Sequence, residues 1–290
     1  MNDTRSAGGA TGLELYDRTA QDVAASVIAA YSTSFGLASR MLGPRVRPHV
    51  RNVYALARIA DEIVDGPAEA AGLDHSAERD VLDELEVETL TAIRRGFSAN
   101  LVVHAFARTA RECGIGADLI GPFFASMRTD IETSSHDLAS HDAYVYGSAE
   151  VIGLMCLQAF VNAGASTPRQ PEPVLVEGAR RLGAAFQDVN FLRDLDHDAS
   201  ALGRDYLGAS SRAEVLARID ADLACAAAVI PLLPADCRRA VTAAHDLFEA
   251  LARRLRRATP SRTRVRVPNP VKAALAARAW LGFAPRGVRA

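Results

Sequence analysis

A chain of 290 residues, 49% of them apolar and with a formal net charge of −2, is long enough for one large domain, and no linker-like stretch divides it into two cores. Its four cysteines, Cys113, Cys156, Cys225 and Cys237, fall in no CxxC or zinc-ligand spacing and read as thiols of a reducing cytoplasm. There is no Walker sequence, no Gly-x-Ser-x-Gly elbow and no dinucleotide fingerprint, because Gly114-x-Gly116 lacks a third glycine.

Ala, Leu, Val and Arg dominate, aromatic residues make up only 6% and alternating β-branched runs are scarce, so the expected fold class is all-α. Residues 1–15 carry no signal peptide and are expected to be disordered. One domain then spans 16–282, followed by a flexible 283–290. Its first helices are expected at about 17–31 and about 46–65, separated by the Gly43-Pro44 break. The second of these carries Arg58-x-x-Asp61-Glu62-x-x-Asp65 and stops at Gly66-Pro67. Helices at about 77–95, 99–113 and 116–134 follow. Next comes about 140–164, whose most apolar run, Val151 to Ala165, is interrupted by Gln158 and Asn162 and is too short to cross a bilayer. It reads as a buried helix beside a cavity. After the Ser166-Thr167-Pro168 break, a helix at about 173–198 carries Gln187-x-x-Asn190-x-x-Arg193-Asp194-x-x-x-Asp198. Helices at about 211–230, 235–258 and 269–281 complete the bundle. His136 and His141 bracket a loop and read as surface residues.

The last 38 residues hold eleven Arg and Lys and no acid, which leaves the first 252 near −13. This basic end has no aromatic interleaving and no nucleic-acid reading module. A solvated surface, attraction to anionic lipid, or closure over a diphosphate explains it better.

The two acidic motifs carry the chemistry. Gln187, Asn190, Asp194 and Asp198 fall on one narrow stripe of a helix, and Arg58, Asp61 and Asp65 form a similar stripe on the earlier one. Carboxylates crowded into a low-dielectric cavity would protonate unless a cation sits between them. Hard oxygen ligands suit Mg²⁺ or Mn²⁺, and Mg²⁺ is usually shared between a few carboxylates and substrate phosphates. Arg58 and Arg193 would add planar forks for phosphate oxygens.

At these residues the chain resembles the squalene and phytoene synthase family of head-to-head prenyl transferases, from about Tyr16 to Lys272. The resemblance extends to Tyr31-Ser32-Thr33-Ser34-Phe35, Met127-Arg128-x-Asp130, the Tyr144-to-Gly153 stretch and Gly203-Arg204-x-Tyr206-Leu207. Within the family, the wording of Tyr146 to Met155 and of Ala60 to Gly66 is most similar to actinobacterial phytoene synthases. The resemblance implies an isoprenoid synthase-type bundle around a central apolar cavity, with Asp61, Asp65, Asp194 and Asp198, aided by Asn190, holding Mg²⁺ on substrate diphosphates. It further implies that Ser32, Arg58, Tyr144, Gln187, Arg193, Arg204, Tyr206 and Arg264 or Arg266 line the diphosphate sites or the reacting carbons. Four positions depart from the pattern: Thr33 stands where Lys is frequent, Glu150 for Gly, His197 for an acid, and Phe248 for a Tyr.

The reaction implied is condensation of two geranylgeranyl diphosphates, through prephytoene diphosphate, to phytoene and two diphosphates, in carotenoid biosynthesis. NADPH is not expected, since phytoene forms by loss of a proton. Phe35, Leu37, Phe123, Phe124, Leu154, Phe160 and Phe186 are candidates for the cavity wall that keeps water from the carbocation. The alternatives are dehydrosqualene or squalene formation from farnesyl diphosphate, or a non-catalytic helical scaffold of the same fold. The expected location is the cytoplasm or, peripherally, the inner face of the cell membrane, with no obligate protein partner evident.

Overall fold

Local chemistry sets the helix boundaries. The computed structural model describes residues 11–132, 138–197, 211–258 and 265–286. Helix α1 (Gly12–Tyr31) starts earlier than the expected residue 17 because Thr11 and Glu14 form a capping box, Thr11 N–H donating to Glu14 at 2.6 Å and Glu14 N–H to Thr11 Oγ1 at 3.2 Å. Helix α2 (Thr33–Arg40) has no counterpart among the expected helices. It is eight residues long with Gly36 inside it, too short for its periodicity to show, and Ser32 caps it by accepting the Phe35 N–H at 3.0 Å.

Helix α3 (Arg47–Val64) falls within a few residues of expectation, and the single turn α4 (Pro67–Ala70) has no expected counterpart. The others again fall within a few residues of expectation: α5 (His75–Arg95), α6 (Leu101–Cys113), α7 (Ala117–Glu132), α8 (Leu138–Val145) and α9 (Val151–Asn162) over the one helix expected at about 140–164, α10 (Pro173–His197), α11 (Arg212–Val229), α12 (Ala235–Arg257) and α13 (Asn269–Trp280). No strand occurs among the described residues, and the fold is all-α.

Helices α8 and α9 join through a π-helical turn, Tyr146–Glu150, into one continuous rod. Counted from His141, that rod is long and apolar enough to cross a membrane, contrary to the length inferred from Val151 to Ala165. Its surroundings decide the matter: α3, α6 and α7 pack on one side and α10 on another, and 56% of its apolar window is buried. It is the central helix of the bundle. Glycine permits the closeness, because a Cβ at Gly183 of α10 would lie 2.6 Å from the Ala149 carbonyl oxygen, and one at Gly153 would lie 2.6 Å from that of Ala179.

Two apolar cores flank this rod. The first joins α1, α3, α5, α6, α7 and α9 through Leu56, Phe106, Phe123, Phe124 and Met155, and the second joins α10, α11 and α12 through Val189, Phe191, Ile219 and Leu255. Each such side chain contributes about 1.5–3 kcal/mol by burial. Polar clamps tie the cores together. Arg45, before α3, donates to the Phe160 and Ala163 carbonyls at the end of α9, at 2.9 and 2.8 Å, and to both carboxylate oxygens of Asp236 at 3.0 Å. Asp246 of α12, with no exposed surface, accepts from Arg278 of α13 at 2.6 Å and from the Arg286 N–H at 2.7 Å.

His141 is not a surface residue. It is buried beside Asp188 of α10, 3.7 Å away, while His136 lies outside the described residues. All four cysteines are free thiols, and burial pushes those of Cys113 and Cys156 up to about 12.

Candidate active site

Helices α3 and α10 are linked through other residues at two levels. At the first, the Phe35 ring of α2 sits 6.3 Å from Tyr54 on α3, 6.0 Å from Phe186 on α10 and 5.7 Å from Phe248 on α12, with Phe186 and Phe248 stacked at 3.8 Å. Two turns on, seven residues from Tyr54 and eight from Phe186, come Asp61 and Asp194, a rise of roughly 10–12 Å along each helix. At this second level Asp130 of α7 is close enough to raise the proton affinity of Asp61. It also accepts the Tyr144 hydroxyl at 2.9 Å. The Tyr144 ring in turn lies 6.0 Å from Phe191, three residues before Asp194. The two helices therefore run in the same sense along one cleft, aromatic at one level and acidic at the next.

On α3 the acids lie on the face expected. Arg58 pairs with Glu62 and approaches Asp61 at 3.9 Å, and its guanidinium lies over the Tyr31 ring at 4.6 Å. The Asp61 side chain keeps 35% of its surface accessible although protein surrounds it, so it faces a recess and not packed core. That environment pushes its carboxyl up to about 8, first through burial and then through repulsion by Asp65 and Asp130, with Arg58 opposing. Asp65 is exposed at the C-cap of α3, its N–H donating to the Asp61 carbonyl at 2.8 Å.

On α10, Gln187 and Asn190 are half-buried and Asp194 is buried on the same stripe. Arg193 folds onto Asp194, with contacts of 2.5 Å from Nη2 and 3.0 Å from Nε. Ser32 caps α2 beside the aromatic cluster, near enough to Tyr54 to oppose the effect of burial on its hydroxyl. Arg266 is exposed between α12 and α13. Asp198, Arg204, Tyr206 and Arg264 lie outside the described residues, as does the side chain of His197.

Two residues of this cleft were missing from the inferred site. Asp130 was visible as an acid on a helix face otherwise occupied by Phe123 and Met127, and Tyr54 as the residue one turn before Arg58 on the same face. Among the proposed wall residues, Phe35 and Phe186 line the aromatic end, while Phe123, Phe124 and Phe160 are buried in the first core. Leu37 is 39% exposed and points away from the cleft. Phe248, lacking the hydroxyl of the Tyr it replaces, extends the aromatic wall, and Glu150 accepts from Arg180 at 2.6 Å.

Among the described residues no three acids, histidines or cysteines converge as a finished metal cage. The donor set nevertheless fits a hard divalent cation completed by substrate oxygens. Its groups are carboxylates, and burial, with repulsion by Asp65 and Asp130 opposing Arg58, raises Asp61 far above the carboxylate range.

The profile of the squalene/phytoene synthase family matches residues 28–211, which hold both acidic motifs. The chain belongs to this family. The family is one of prenyl transferases acting on prenyl diphosphates. The chain is 27% identical over 260 residues to the 15-cis-phytoene synthase of a Paracoccus species, covering 81% of this chain and 82% of that one. It is 30% identical over 193 residues to the 15-cis-phytoene synthase of a Synechocystis species, spanning 65% of this chain and about half, 55%, of the relative. The 4,4'-diapophytoene synthase of Staphylococcus haemolyticus is 29% identical over 170 residues, covering 58% of this chain and 55% of its own. In three dimensions the chain is similar to a dehydrosqualene synthase solved with a ligand, with a TM-score of 0.76 at 21% identity over 92% of this chain and 97% of that one. Such a likeness establishes the shared isoprenoid synthase-type helical fold.

Proposed function

We propose that the protein is a phytoene synthase that joins two geranylgeranyl diphosphates head to head, through prephytoene diphosphate, releasing two diphosphates. The observation that carries the reading is the cleft's polarity: carboxylates of α3 and α7 at one level, linked through Tyr144 and Phe191 to the turn of α10 that carries the buried Asp194, and an aromatic cluster about two turns away. An allylic diphosphate has the same polarity, with an anionic head and an apolar tail.

Divalent metal bound by Asp61, Asp65, Asp194 and Asp198, with Asn190, would neutralise the departing diphosphate and so weaken its bond to the allylic carbon. Arg58 and Arg193 sit one turn or less from these acids, where their forks can take diphosphate oxygens in place of the carboxylates they now hold. Gln187 and Ser32 line the path toward the aromatic end. Asp130 fixes the Tyr144 hydroxyl at the acidic level, so that Tyr144 positions the head group. Phe35, Phe186 and Phe248 exclude water from the carbocation left when the carbon–oxygen bond breaks, and present ring faces that stabilise positive charge. Proton loss ends the reaction, so no NADPH is consumed.

The similarity to a diapophytoene synthase and to a dehydrosqualene synthase favours a second reading with farnesyl diphosphate as substrate. Product analysis separates the two. Purified protein given Mg²⁺ and equal amounts of the fifteen- and twenty-carbon diphosphates, without NADPH, should form phytoene. A thirty-carbon product as the main hydrocarbon would establish the second reading, and no hydrocarbon from either would point to a scaffold.

A further inference from the structure

Helix α8 presents one buried face. His141, Tyr144 and Val145 are buried while Asp142 and Ala143 between them are exposed, the spacing of three and four that marks a helix lying on a neighbour. That neighbour is α10, which runs antiparallel to the rod, since Gly183 meets Ala149 and Gly153 meets Ala179. On α10, Asp188 and Phe191 share a face at the same spacing of three. The two pairs come together. His141 Nε2 lies 3.7 Å from Asp188 Oδ1, the His141 ring stands edge-on to Phe191 at 5.9 Å, and the Phe191 ring lies 6.0 Å from that of Tyr144.

Apolar packing alone does not account for these residue types. Asp188 is 1% exposed, and its charge is met by Arg218 of α11, whose Nε and Nη2 donate to the two carboxylate oxygens at 2.6 and 2.9 Å. His141 is 5% exposed, and among the described residues its Nε2 has no hydrogen-bond partner. The 3.7 Å to Asp188 exceeds bonding distance, as does the 3.6 Å from Nδ1 to the exposed Asp142. A buried ring nitrogen left unbonded costs about 1–3 kcal/mol, which a leucine in the same space would not incur. A buried ion pair such as Asp188–Arg218 adds little net stability over an apolar contact. What the cluster supplies is orientation: Arg218 grips the carboxylate through both oxygens, and the carboxylate holds the imidazole against Phe191.

Phe191 carries that constraint to the cleft. Tyr144 donates to Asp130 at 2.9 Å, Asp130 is near enough to raise the proton affinity of Asp61, and Phe191 stands three residues before Asp194. A phenol directed by one carboxylate still needs a fixed ring to place its oxygen, and Phe191, in contact with both His141 and Tyr144, provides the backing.

We propose that His141, with Asp188 and Arg218 behind it, is a positioning residue of the diphosphate end: it fixes Phe191 and, through Phe191, the Tyr144 hydroxyl at the level of the acids. The inference rests on the reading of the cleft as a prenyl diphosphate site and adds to it residues that lie behind its wall.

The test is His141→Leu, which replaces the polar ring by an apolar side chain of similar size, made in the parent and in Tyr144→Phe. In the parent background helical content should be unchanged and melting at or above the parent's, while KM for the prenyl diphosphate rises about tenfold and kcat falls less than about threefold. With the hydroxyl already gone in Tyr144→Phe, the same substitution should change KM by less than about twofold. Should the leucine variant not fold, His141→Gln takes its place with the same readings. An unchanged KM, a rise as large in Tyr144→Phe as in the parent, or a loss of melting temperature with both kinetic constants at parental values would overturn the inference while leaving the reaction assigned to the cleft intact. No hydrocarbon from the parent with either diphosphate would overturn both.

Discussion

Asp61 shows most sharply what a single residue contributes. Its ligand-free carboxyl holds its proton up to about pH 8, whereas in the unfolded chain the same group ionises near the ordinary value of about 4. Folding then takes up a proton across that window, so Asp61 makes the free protein progressively less stable as pH rises from about 4 to about 8. Asp61→Asn should therefore melt higher than the parent at pH 8, with the gap closing by pH 5. Turnover should fall by orders of magnitude at both. A variant that melts lower at pH 8, or keeps near-parental turnover, would remove Asp61 from the site. Asp130 acts through Tyr144, and Asp130→Asn, which can still accept the phenol proton, should cost less activity than Asp130→Ala. The alanine variant should raise KM more than it lowers kcat if Tyr144 positions the head group. Spacing made Asp61, Asp65 and Asp194 legible, because a helix converts steps of three and four into one face. Asp130 and Tyr54 lie on helix faces that the spacing shows, but which neighbour those faces meet is set by tertiary packing.

At the scale of elements, the helices were readable where caps and breaks bracket a long periodic run. Helix α2 was not, since eight residues give barely two turns of pattern. The central rod was expected at nearly its full length, but only its apolar run from Val151 was weighed as a span, because the polar N-terminal half breaks that run without breaking the helix. Its contact with α10 rests on backbone against backbone. Gly183→Ala forces a Cβ into the Ala149 carbonyl and should destabilise the fold by about 1–3 kcal/mol, measured as a lower denaturant midpoint at unchanged slope. A neutral result would mean that the rod and α10 are not so closely apposed. Helix α13 is held by a charge pair in addition to the apolar contacts of Val271, Leu275 and Ala279. Burial works against ionisation of Asp246, but His245, the Arg286 N–H and Arg278 outweigh it and hold its carboxyl below the ordinary range. Asp246→Ala should cost about 3–5 kcal/mol, because Arg278 then loses its partner at the α12–α13 contact. Limited proteolysis should cut the C-terminal region of that variant first.

The whole molecule consists of two apolar cores joined along a central helix, with the cleft between α3 and α10 where they meet. Composition and periodicity foretold the helical class, and the motifs foretold the family. Carboxylates that would share a divalent metal with diphosphate oxygens imply cooperative binding of the two. Melting should rise with Mg²⁺ plus inorganic diphosphate and stay unchanged with either alone. The most direct measurement is a crystal structure grown with Mn²⁺ and diphosphate, with the metal located by anomalous scattering. Manganese bridging diphosphate between the Asp61–Asp65 edge of α3 and Asp194 of α10 is the predicted result. Manganese bound elsewhere, or either set of acids turned to bulk solvent with diphosphate bound, would contradict it.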